Sequence, residues 1–152
     1  MKKITTILAC LLLCVSTAIA QRQYSAAQEK IRTDIMNHIE LLGYAPSIDS
    51  DGDIKFKHEG KTYYVKVSDT DSDPFYVVLF RIHTYTETFG KEKIMNVIDK
   101  CNNKKGIKVL CANDVYHYRA EMYVTSAQPF NAVLSKLIIR MNEVSDLLSD
   151  LM

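Results

Sequence analysis

Four histidines, His38, His58, His83 and His117, are the side chains best suited to acid–base or metal chemistry. None has a second histidine at the spacing of a helical metal site such as H-x-x-x-H. His58, His83 and His117 fall on three different predicted strands, so they could converge only if the strand register aligned them. The sequence therefore predicts no metal ligands and no catalytic residues among the histidines.

Two runs of alternating aspartates resemble the opening of a calcium-binding loop. In the second run, Pro74 stands where an EF-hand needs glycine and Phe80 stands where its closing glutamate would lie. The first run also lacks the correct frame. Asx-type turns that join strands explain both runs better, and weak calcium binding is the alternative. The aspartates are Asp49, Asp51 and Asp53 in the first run and Asp69, Asp71 and Asp73 in the second.

Other catalytic arrangements are missing from the sequence. It contains no G-x-S-x-G nucleophile elbow, no glycine-rich phosphate loop and no H-E-x-x-H motif. We therefore expect neither an enzyme nor a bound cofactor. Two cysteines beyond the N-terminal segment, Cys101 and Cys111, either form a disulfide or are two small buried hydrophobic residues, because sequence spacing does not fix their geometry.

The first twenty residues have the three parts of a secretory signal peptide. Lys2 and Lys3 precede an apolar run, and Ala18-Ile19-Ala20 provides an A-x-A exit before Gln21. The run is shorter than the ~20 residues that cross a bilayer, so no stable membrane span is expected. We expect a periplasmic or secreted protein that is cleaved near Ala20–Gln21. Lipidation at Cys10 or Cys14 is an alternative that both sites fit poorly.

Residues 21–152 have the length of a single domain. Loss of the two N-terminal lysines leaves 17 basic and 18 acidic residues. A nearly neutral chain without a basic stripe does not indicate nucleic-acid binding.

Helical periodicity occurs in three segments. The spacing of Ile31, Ile35 and Ile39 predicts a helix over residues 26–42, with a capping box formed by Ser25 and Gln28. A second helix is predicted over residues 89–102. A third begins after Ser126, with Pro129 in its first turn, and carries a long apolar stripe toward the C-terminus.

Five segments alternate in the manner of strands, and the predicted element order is α-β-β-β-α-β-β-α. This order favours an α+β fold of two layers, in which helices pack on a five-stranded antiparallel sheet. The predicted strands are Asp53–His58, Thr62–Val67, Phe75–His83, Ile107–Cys111 and Val115–Val124.

The element order and strand sequences resemble the YbjN-like family and the related fold of type III secretion chaperones. The similarity covers residues 25–151, and no catalytic residue of the family exists to carry over. It implies a protein partner, often a homodimer, although those chaperones work in the cytosol and this chain carries an export signal. The segments that carry it are Leu42–Pro46 leading into Asp49–Ile54, the hairpin Phe56–Val65, the strand Phe75–Ile82 and the helix end at Asn102-Asn103.

An exposed sheet face with apolar, aromatic and cationic side chains is typical of a protein-binding surface. We expect an extended or helical segment of an unknown partner to dock there or along the last helix, which could instead form a homodimer seam. The alternative is an enzyme or small-ligand site in a cleft between sheet and helices, where histidines meet Arg81 or Arg119. The residues predicted to bind the partner are Phe75, Val77, Leu79, Arg81, His117, Arg119 and Tyr123.

Overall fold

The computed structural model describes residues 22–70, 73–84, 90–104, 106–112 and 115–151, in which three helices pack on one face of an antiparallel sheet. The α+β class is therefore confirmed, whereas the predicted signal peptide lies outside the described residues. The helices are α1 (Ala26–Leu41), α2 (Lys91–Asn102) and α3 (Ala127–Leu151). The strands are β1 (Ser47–Ile48), β2 (Ile54–His58), β3 (Lys61–Val67), β4 (Phe75–Thr84), β5 (Lys108–Ala112) and β6 (Val115–Val124).

The sheet has six strands in the order β1-β2-β3-β4-β6-β5, so the prediction of five strands is wrong. The additional strand is β1, which also changes the predicted element order. It pairs with β2 through Ser47 opposite Lys55 and Ile48 opposite Ile54. A two-residue strand shows no alternation of its own, which explains why the sequence gives no signal for it.

Local sequence explains both ends of α1. The Ser25 hydroxyl accepts the N–H of Gln28 at 3.3 Å, and the Gln28 side chain accepts the N–H of Ser25 at 2.6 Å, so the predicted capping box is confirmed. At the other end Gly43 adopts φ +87°, a left-handed conformation that glycine tolerates without a steric penalty.

A two-residue turn joins β2 to β3. Glu59 (φ +50°) and Gly60 (φ +75°) both adopt positive φ, as a type I′ hairpin turn requires. The turn sets His58 opposite Lys61 and Ile54 opposite Val65. This register places Ile54 and Phe56 on the face that carries the helices, where both are buried.

The core lies between this face of the sheet and the helices. The apolar stripe predicted for α3 faces the sheet and forms part of the core. It belongs to one buried cluster with the rings of Tyr63, Tyr116 and Tyr118 and the isoleucines of α1. Burial of such a stripe, at about 25 cal/mol per Å² of apolar surface, is the main stabilising contribution that this arrangement offers. The buried stripe residues are Phe130, Leu134, Ile138, Met141, Val144 and Leu148.

Candidate functional site: the uncovered face of the sheet

The seven predicted partner-binding residues do not share a surface. Phe75, Val77, Leu79 and Arg81 face the helices and are 6%, 0%, 0% and 8% exposed, so the expectation that they form an exposed row is wrong. The pairing of β4 with β6 explains the difference, because Leu79 lies opposite Ala120 and therefore shares its helix-covered face.

His117, Arg119 and Tyr123 point to the opposite face of the sheet. Arg119 lies opposite Phe80, and Tyr123 lies opposite Tyr76. No helix of the described residues lies on this face, which we call the uncovered face, and β4 contributes to it the residues that alternate with the predicted ones. They are Tyr76, Val78, Phe80 and Ile82.

Two aromatic pairs form the centre of this uncovered face. The rings of Tyr64 and Phe80 are stacked with centroids 5.1 Å apart, and those of Tyr76 and Tyr123 lie 5.1 Å apart at a tilt of 45°. Val78 lies between the pairs and is only 1% exposed, whereas Tyr123 is 66% exposed and Ile82 is 44% exposed. The centre of this face is therefore apolar and inaccessible to water, whereas the side chains around it are exposed.

Positive charge surrounds the aromatic pairs. Among the strand positions of this face, Glu121 is the acidic residue, and its carboxylate is shared by Arg119 at 3.2 Å and Lys108 at 3.7 Å. Burial, a hydrogen bond to Glu121 and the charge of Glu121 raise the pKa of Tyr76, so this carboxylate has a third neighbour. The cations of this face are Lys55, Lys57, Lys66, Lys108 and Arg119.

A shallow depression of about 520 Å³ adjoins the uncovered face at the β5 edge of the sheet. Lys104, Lys108, Arg119 and Glu121 contribute its charged groups, and Leu110 contributes apolar surface. The depression therefore extends the uncovered face toward α2 with the same mixture of cationic and apolar groups.

The arginine that the sequence places on the docking surface is instead a buried cation. The Arg81 guanidinium donates to the Ser145 hydroxyl at 3.2 Å and lies 5.6 Å from the centre of the Tyr118 ring. Burial, and then the charge of Arg81, lower the pKa of the neighbouring His83 below its ordinary value. The hydrogen bond from Arg81 to Ser145 links β4 to α3 on the helix-covered side of the sheet.

The histidines and arginines do not converge on one pocket. His83 and Arg81 face the helices, whereas His117 and Arg119 lie on the uncovered face. His58 lies at the end of β2 with its ring centre 5.1 Å from that of Tyr44. Within the described ranges, no group of three or more His, Cys, Asp or Glu side chains could hold a metal ion.

The aspartates before β2 bind the protein's own groups. One carboxylate oxygen of Asp49 accepts the N–H groups of Asp51 at 3.0 Å and Asp53 at 2.9 Å, which is an Asx turn. Asp53 accepts Arg22 at 2.6 Å. Burial raises the pKa of Asp53, and the hydrogen bond and charge of Arg22 oppose that rise without cancelling it.

In the second aspartate run, Asp71 lies outside the described residues, and Asp69 is 3.9 Å from Arg22. Cys101 and Cys111 are both free thiols in the structure, so the disulfide alternative is not realised.

Comparison with known proteins gives a likeness of fold. No family model matches the sequence, and no curated protein matches it. In the described part of the chain, no helix is both long and apolar enough to cross a membrane. The chain is similar to one chain of a solved structure, the HopA1–SchA chaperone–effector complex, with a TM-score of 0.55 and 10% sequence identity over 82% of this chain and 99% of that chain. This chain therefore shares its α+β fold with a chain of that chaperone–effector complex.

Proposed function

We propose that this protein is an exported, non-enzymatic module that binds another protein on the uncovered face of its sheet. The observation that carries the proposal is the aromatic surface around Val78, which no helix of the described chain covers although it is apolar at its centre. Apolar and aromatic groups within a polar rim are typical of protein interfaces.

The likeness of fold supports the same proposal. The similar chain belongs to a complex between a chaperone and an effector. We include membership of the YbjN-like family in the proposal, on the sequence resemblance of residues 25–151. The lack of catalytic activity is also proposed, and it is supported by the separation of Arg81 and Arg119 onto opposite faces of the sheet.

Site-specific photocrosslinking tests where the partner binds. A benzoylphenylalanine placed at Tyr123 lies on the uncovered face, and the same group at Ile139 lies on the exposed side of α3 and serves as the matched control. In the native cells, we expect irradiation to give discrete adducts with another protein from position 123 and not from position 139. The same adducts from both positions, or adducts from position 139 alone, would contradict the proposed surface.

A further inference from the structure

One row of the uncovered face runs across five strands. Strand pairing sets Lys55 opposite Tyr64, Tyr64 opposite Phe80, Phe80 opposite Arg119, and Arg119 opposite Lys108. We refer to these five residues as the cross-strand row. It has a stacked aromatic pair at its centre and cations at both ends, so it presents apolar surface between two positive regions.

We propose that the cross-strand row binds an acidic protein segment that carries an apolar side chain between two carboxylates. This inference rests on the proposed function and names the chemistry of the partner. The apolar side chain would lie on the Tyr64–Phe80 pair. One carboxylate would meet Lys55, and the other would meet Arg119 and Lys108.

Charge is the reason for an acidic partner. Glu121 is shared between Arg119 and Lys108, so this one carboxylate cannot neutralise two cations. Lys55, Lys57 and Lys66 have no carboxylate within 4 Å in the described residues. A partner that supplied carboxylates would replace this unbalanced charge by complementary pairs and would be steered to the face in low salt.

The spacing of the row limits the partner further. Neighbouring strands lie about 4.8 Å apart, so the three steps from Lys55 to Arg119 span roughly 14 Å. An extended segment rises about 3.3 Å per residue, so its two carboxylates would be roughly four residues apart. The segment would cross the strands instead of extending the sheet at its edge.

A second copy of this chain fits the face less well. A symmetric dimer built on this face would bring two sets of the same five cations together. On each copy, Glu121 is the one acidic residue among the described strand positions of the face. Like charges at such close range oppose association.

Single-stranded nucleic acid also carries negative charge, but the geometry of the aromatic pair is against it. The rings of Tyr64 and Phe80 lie at an angle of 17° and stack on each other, so these ring faces are already in contact. Single-strand binding normally needs free ring faces on which bases stack. An apolar side chain can instead pack along the outer edges of the pair.

Selection from a random-peptide display library against the purified protein tests the inference without knowledge of the natural partner. We expect the selected peptides to carry two acidic residues about four positions apart on either side of an aromatic or aliphatic residue. Lys55→Glu and Arg119→Glu should each weaken a selected peptide about three- to tenfold, because each reverses one solvent-accessible ion pair. Lys136→Glu, on an exposed position of α3, is the control and should leave the affinity unchanged.

The possible failures separate this inference from the proposed function. If the selected peptides are neutral or basic and Ile82→Ser lowers their affinity, the acidic partner is overturned and protein binding on this face stands. If Ile82→Ser, Lys55→Glu and Arg119→Glu all leave the affinity of the selected peptides unchanged, both the acidic partner and protein binding on this face are overturned. Tighter binding of oligo(dT) or phosphatidylglycerol vesicles than of the selected peptide would assign the face to a nucleic acid or a membrane and would overturn the inference.

Discussion

The two thiols differ in how far solvent reaches them. Cys101 is 0% exposed, its Sγ lies 3.9 Å from the Val144 carbonyl oxygen, and burial raises its pKa while the charge of Lys104 partly offsets the rise. Cys111 is only partly buried. Reaction with a maleimide requires an accessible thiolate, so Cys101 is protected on both counts.

We therefore expect a maleimide to modify Cys111 on the order of tenfold or more faster than Cys101 in the native protein. Mass spectrometry of the digested protein would identify the modified residue. In denaturant both cysteines should react alike, which is the control. Thiols that react only after reduction would reveal a disulfide and contradict the two free cysteines.

His83 makes stability depend on pH in a defined direction. Burial, and then the charge of Arg81, lower its pKa in the folded chain below the 6.5 of an unperturbed histidine. As pH falls through 6.5, the unfolded chain takes up a proton that the folded chain resists. The stabilising effect of the neutral imidazole is therefore complete above that pH and is lost between pH 6.5 and the lower folded pKa.

Replacement of His83 by asparagine should reduce the loss of unfolding free energy as pH falls from 7 to 5. Urea unfolding at several pH values measures the free energy of unfolding of each protein. The difference between variant and wild type cancels the titration of the other groups. Above pH 8 the two should show the same pH slope, whatever their absolute stabilities. A steeper loss in the variant would contradict the lowered pKa.

At the scale of elements, the hairpin between β2 and β3 contains a residue that suits its turn poorly. Glu59 adopts φ +50°, and a left-handed conformation costs a non-glycine residue roughly 1–2 kcal/mol, less for asparagine. Glu59→Asn should therefore raise the free energy of unfolding by about 0.5–1 kcal/mol.

Gly60→Ala is the matched opposite change. No atom lies within 4 Å of the added Cβ, so the expected loss of about 1 kcal/mol would come from its φ of +75° alone. Urea unfolding measures both variants. Equal stability of Glu59→Asn and wild type would show that the turn relaxes around Glu59.

The outer edge of β5 is covered by a side chain from α2. Asn102 Nδ2 donates to the Val109 carbonyl oxygen at 3.2 Å, and the Val109 N–H donates to Asn102 Oδ1 at 2.6 Å. The amide thus makes the same two hydrogen bonds that an added strand would make. Such covering of an edge protects a sheet from pairing with other chains.

Asn102→Ala should destabilise the protein by about 1–2 kcal/mol through these two hydrogen bonds, and it should promote association through the exposed edge. Light scattering over a concentration series measures the association. Asn103→Ala, at the next position and exposed, is the control. A variant as stable and as monodisperse as the control would show that the amide does not protect the edge.

For the whole molecule, the proposal includes export by a cleaved signal peptide. The proposal predicts that the protein recovered from cells begins at Gln21, which N-terminal mass spectrometry would show. Ala20→Arg should leave the uncleaved chain, because the exit of a signal peptide needs small residues. A wild-type protein that begins at Met1 would contradict export by a cleaved signal.

Features that depend only on neighbours along the chain follow from the amino-acid sequence. The cap of α1 needs only Ser25 and Gln28, and the stripe of α3 needs only its own spacing, so both could be recognised locally. For β6, one set of alternate residues carries His117, Arg119 and Glu121, and the structure places this polar set away from the helices. Local contrast between polar and apolar positions was sufficient there.

Which face of β4 is covered depends instead on contacts between distant parts of the chain. Both sets of alternate residues on this strand are rich in apolar and aromatic side chains, and the polar Arg81 and His83 belong to the set that faces the helices. Alternation therefore does not indicate the covered face, and a shift of one residue exchanges the faces. The pairing of β4 with β6 and the position of the helices settle the choice, bury Phe75, Val77 and Leu79, and leave Phe80 on the uncovered face. The short strand β1 and the cross-strand row likewise exist only through pairing between distant segments.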